Sequence, residues 1–133
     1  MGTVYLAWHN RLKRNVALKV LSRSQAHSAR EMEAVGRLNH PHIVRALDAG
    51  VENGIHYLVL DLINGIDAAE VVRQLGPLPI PEACRIIEHA ARGLDYAHLN
   101  GIVHRDVKPS NICLLYTSPS PRDATLSRMP SSA

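Results

Sequence analysis

Eight consecutive residues, His104-Arg105-Asp106-Val107-Lys108-Pro109-Ser110-Asn111, set a carboxylate, an ammonium group and a carboxamide close together in one stretch. Phosphoryl transfer to a hydroxyl needs such a set: a carboxylate beside the incoming nucleophile, a cation near the transferred group, and an oxygen ligand for magnesium. Asp106, Lys108 and Asn111 can supply these from one short loop. Other chemistry finds less support. The eight histidines are scattered apart from His40 and His42, without the matched cysteine or carboxylate spacing that a zinc site requires. Cys84 and Cys113 stand 29 positions apart with no C-x-x-C spacing and read as reduced thiols packed like small apolar residues.

A loop of this kind needs elements to hold it. Downstream, Ile112 to Leu115 reads as a strand. Upstream, Pro81 fits the first turn of a long helix in which Ala83, Ile86, Ile87, Ala90, Ala91, Leu94 and Ala97 recur at helical spacing toward a core, with Gly101 at its C-terminal end. Asp67 is a candidate N-cap for a shorter helix through Leu75, which Gly76-Pro77 terminates. Before Gly65 the character changes. Val4 to Trp8 and Val16 to Leu21 read as a hairpin across the polar turn His9 to Asn15. A helix from about Gln25 to Leu38 follows and stops at Asn39-His40-Pro41. Ile43 to Ala49 and Ile55 to Leu62 read as two further strands around Glu52-Asn53-Gly54. At 133 residues, 46% hydrophobic and 20% charged, the chain is one domain at most. A net charge of +3 spread along the sequence does not suggest nucleic acid as a partner, and no apolar run approaches the roughly 20 residues that span a bilayer.

The segment His104 to Asn111 resembles the protein kinase catalytic loop, H-R-D-x-K-P-x-N, and the order of motifs from Gly2 to about Leu115 is similar to that family's. The resemblance implies an α+β two-lobe fold, incomplete here. Its parts would be a small antiparallel N-lobe sheet with its αC helix over about residues 1–62, a hinge at about 61–65, and the start of a helical C-lobe over 66–115. Val16-Ala17-Leu18-Lys19 resembles the family's V-A-I-K strand, so Lys19 is expected to meet the α and β phosphates of ATP. Glu31, ten residues before Pro41, corresponds to the αC glutamate that pairs with this lysine. Glu33 competes, but two positions on a helix are about 200° apart and both cannot face Lys19. Gly2-Thr3-Val4-Tyr5-Leu6-Ala7 resembles the end of the glycine-rich loop, with two earlier glycines absent. The resemblance makes Leu60 the gatekeeper, gives adenine the Asp61 carbonyl and the Ile63 amide, and forms the adenine slot with Val4 and Ala17 as roof and Cys113 as floor. Asp106 would be the catalytic carboxylate, Lys108 the cation and Asn111 a magnesium ligand. The K-P form of the loop implies serine/threonine specificity, a protein substrate, and ATP with Mg²⁺ as cofactors. Arg105 implies control by activation-segment phosphorylation.

The departures are as informative. The chain has no phenylalanine and therefore no Asp-Phe-Gly, so the family's principal magnesium ligand is missing and the 133 residues alone are expected to be inactive. From Tyr116 to Ala133, ten of eighteen residues are Ser, Thr or Pro, which predicts disorder and resembles a translated cloning or adaptor sequence joined to a truncated frame. A non-catalytic kinase-like binding module is the main rival, yet it predicts loss of Lys19, Asp106 or Asn111, all present. A small-molecule phosphotransferase of the same fold is the second rival, and Arg105 with Lys108-Pro109 favours the protein kinase. A cytoplasmic location is expected for the fragment, with any membrane anchor lying outside it.

Overall fold

A computed structural model describes residues 3–22, 29–104, 106–117 and 120–126. Gly2, Arg105 and the expected helical residues 25–28 lie outside them. Strands β1 (Thr3–His9) and β2 (Arg14–Val20) form the expected hairpin, with Lys13 accepting a positive φ of 54° in the turn. Helix α1 (Ala29–Arg37) is followed by β3 (Ala46–Glu52) and β4 (Ile55–Asp61). Asn53 and Gly54 join the last two strands, both at positive φ, as a two-residue hairpin turn requires. The sheet is antiparallel in the order β1-β2-β4-β3.

The third strand starts three residues later than the sequence suggests. Ile43 and Val44 are apolar because they plug the core from an irregular segment, and periodicity alone cannot separate that from a buried strand. Around them pack Leu21, Val35, Leu38, Leu58 and Leu60 from the sheet and α1, together with Ala97 and Ile102 from the far half of the chain. One core thus ties the sheet to the helical half.

Short strand β5 (Gly65–Asp67) leads into α2 (Ala68–Leu75), where the Asp67 carboxylate accepts the Glu70 N–H at 2.8 Å as the N-cap. Gly76, at φ 77°, ends α2. Helix α3 (Ile80–Leu99) carries Pro81 in its first turn and is followed by Gly101 at φ 80°. Its buried stripe is Ile86, Ala90, Gly93 and Ala97, whereas Ile87 and Ala91 are exposed. Each stands about 100° around the helix from its buried neighbour, too far to share one face. A second core joins Ala68, Val71, Ile86 and Ala90 to Ile112 and Leu114 of β6 (Ile112–Thr117).

The disorder expected beyond Leu115 is not found where the chain is described. Strand β6 continues to Thr117, and β7 (Ser120–Leu126) pairs with it in a sheet of order β5-β6-β7. Main-chain pairing needs no apolar alternation, and Pro121 is tolerated because β7 is an edge strand beside a register irregularity.

Candidate active site

The loop between α3 and β6 is held by its own polar groups. A 3₁₀ turn over Pro109–Asn111 closes with the Asn111 N–H donating to the Lys108 carbonyl at 2.9 Å. The Asn111 carboxamide nitrogen then donates to the Asp106 carbonyl at 2.8 Å and to its Oδ2 at 3.2 Å. Lys108 Nζ reaches the same Oδ2 at 3.1 Å. The three side chains converge, and because the Asn111 nitrogen is committed to Asp106, its Oδ1 is the end that can face a cation. Buried His104 contributes a contact the sequence reading missed: its Nδ1 accepts the Asp106 N–H at 3.2 Å, fixing the backbone that carries the carboxylate. The signal was present, since the histidine opens the motif, but a hydrogen bond from its ring to the main chain has no sequence signature.

Lys19 enters from the other half. In β2 it pairs with Val4 of β1 and Leu58 of β4, while Ala17, two residues earlier on the same face, pairs with Leu6 and with buried Leu60. Burial pushes the Lys19 ammonium below its usual pKa, the Asp106 carboxylate pulls it back up, and Lys108 adds to the lowering. Lys19 therefore lies within electrostatic reach of the loop, although it is 87 positions away from Asp106.

Glu31 does not complete the expected pair. It lies exposed in the first turn of α1, and no ion pair joins it to Lys19 among the described residues. The rival Glu33 is taken by Arg37 at 2.5 Å. Spacing along the chain put a carboxylate on α1, but the rotation and distance of a helix relative to a sheet are set by packing.

The segment after β4 has its own geometry. Asp61 is held by Arg14 at 3.1 Å, and its N–H donates to the Arg45 carbonyl at 2.9 Å. Among the described residues no acceptor takes the Ile63 N–H, and its side chain packs on the first core. Half-buried Cys113 pairs with Asp67 in the β5–β6 ladder; burial, then the Asp67 charge, raises its thiol pKa. Gly65 allows this approach, because a Cβ there would lie 2.3 Å from the Leu114 carbonyl oxygen and 2.9 Å from Cys113 Sγ. Val4 is 57% exposed on the open side of the hairpin.

Residues 1–120 match the family described as protein kinase domain. The chain belongs to the protein kinase family. Among its curated relatives, the serine/threonine-protein kinase PknF of Mycobacterium tuberculosis is 42% identical over 123 residues, covering 86% of this chain and 26% of that protein. PknD of the same organism is 41% identical over 119 residues, covering 84% of this chain and 18% of its own length. The chain thus spans about a quarter or less of these kinases. The crystal structure of the M. tuberculosis PknI kinase domain superposes with a TM-score of 0.86 at 37% identity, over all of this chain and 55% of that one. Rad53, solved in complex with AMP-PNP, superposes at 0.83 with 28% identity, over 95% of this chain and 34% of its own. The fold is accordingly a partial protein kinase fold, with an antiparallel N-lobe sheet and the first helices of the C-lobe.

Proposed function

We propose that the kinase to which these residues belong transfers the γ-phosphoryl group of ATP to serine or threonine hydroxyls of a protein. The observation that carries this reading is the electrostatic coupling of Lys19, on the sheet, with Asp106, on the loop. A half-buried cation and a carboxylate within electrostatic reach of one another support a single shared site. Lys19 is suited to hold phosphate oxygens, and its partial desolvation strengthens that attraction. Asp106, fixed by His104 and Asn111, is suited to accept the hydroxyl proton of the incoming nucleophile. Lys108, beside Asp106, is suited to meet charge on the transferred group. The open Ile63 amide, the Asp61 carbonyl and the gatekeeper Leu60 suit the adenine ring, between a roof of Val4 and Ala17 and a floor of Cys113. Glu31 would have to swing toward Lys19 to give the paired form of the site.

These groups fit a nucleotide and a divalent ion: two ammonium groups, a hinge donor that no acceptor takes among the described residues, and an amide oxygen on a side chain whose nitrogen is bonded to Asp106. Magnesium, held in part by Asn111 Oδ1, would neutralise phosphate charge. Support for nucleotide binding also comes from the AMP-PNP in the similar Rad53 structure. Among the described residues no helix is long and apolar enough to cross a membrane. A radiolabelled ATP assay on the longer kinase that contains this chain tests the reading. Phosphoserine or phosphothreonine should appear on protein and vanish in Asp106→Ala. Label appearing only on small hydroxylated metabolites would contradict it.

A further inference from the structure

The segment joining α1 to β3 meets α3 through aromatic rings. His42 and His89 stack at 4.1 Å between centroids with 12° between planes. His40 lies 5.6 Å from His42 and 5.2 Å from the Tyr96 ring. The Tyr96 hydroxyl accepts the Asn39 N–H at 3.1 Å, and His40 Nδ1 accepts the His42 N–H at 3.0 Å. That last bond requires His40 to be neutral, because a proton on Nδ1 would turn an acceptor into a donor facing a donor. Burial, then His42, then Arg92 disfavour the His40 cation, and Arg92 itself is held by Glu88 at 2.7 Å.

We propose that His40, His42 and His89 form an acid-released latch between the α1–β3 segment and α3. Above the ordinary histidine pKa His40 is neutral, its Nδ1 caps the loop and the His42–His89 stack is held in place. As pH falls, protonation turns His40 Nδ1 from acceptor into donor and removes its bond to the His42 amide. Leu38, Ile43 and Val44 remain packed with Ala97 and Ile102, so acid loosens the joint without unfolding the core. The latch is independent of the proposed phosphoryl transfer. The sign follows from linkage: a histidine whose folded pKa is depressed contributes stability above about pH 6.5, lost as pH falls toward its folded value.

The test uses the 133-residue chain, with histidine ring NMR and amide exchange of Asn39 and His42 followed from pH 8 to 5. Protection of both amides, corrected for intrinsic exchange, should fall about tenfold per unit of pKa depression. The His40 ring should titrate below the ordinary histidine value, and the loss of amide protection should follow that titration. In His40→Asn the protection should become flat with pH. Wild-type protection that stays constant to pH 5, or a His40→Asn variant that loosens like wild type, would each overturn the proposal.

Discussion

Asp106 receives a main-chain anchor from each side, the His104 ring before it and the Asn111 amide after it. Truncating Asn111 to alanine removes both bonds that its nitrogen makes to Asp106. At a half-buried site we expect a loss of about 1 to 2 kcal/mol in unfolding free energy, measurable by urea denaturation. Glu31→Gln is expected to leave the Lys19 titration nearly unchanged, because no ion pair joins the two among the described residues. The loop was readable because three functional groups sit in a contiguous stretch. The αC pairing was not, because it depends on where a helix packs.

At the scale of elements, short local signals proved the most legible. Asp67 before α2, Gly76 after it, Pro81 in α3 and Asn53-Gly54 between strands each act within a few residues, so sequence suffices to place them. Asp67→Ala should cost about 1 kcal/mol of stability, by thermal or urea melting. Glu70 gives α2 a pH signature. Hydrogen bonds from Arg73 and Gln74 lower its carboxyl pKa to about 2. A depressed carboxylate stabilises above its unfolded value, so α2 should fray as pH falls from about 4.5 to 2. The effect should weaken in salt and disappear in Glu70→Gln, read from Glu70 and Gln74 side-chain shifts. What sequence could not show at this scale was β7, whose pairing rests on backbone groups, and the histidine stack, whose members are 47 positions apart.

Across the whole molecule, two cores share α3. Its inner side is buried, while Ile80, Cys84, Ile87 and Ala91 recur at spacings of four, three and four as one exposed stripe. Exposed large apolar side chains each forfeit about 1.5 to 3 kcal/mol of burial. The 133-residue chain should therefore self-associate in sedimentation at rising concentration, and Ile87→Glu should shift it toward monomer. The arrangement on which the proposed function rests spans both halves: a lysine of the sheet within electrostatic reach of an aspartate of the loop. Its direct test is the titration of Lys19, followed by site-assigned NMR of the side chain in wild type and in Asp106→Asn. Removing the carboxylate should lower the Lys19 midpoint further below the usual lysine value, and Lys108→Met should raise it. A Lys19 midpoint that is the same in all three proteins would contradict a shared cleft.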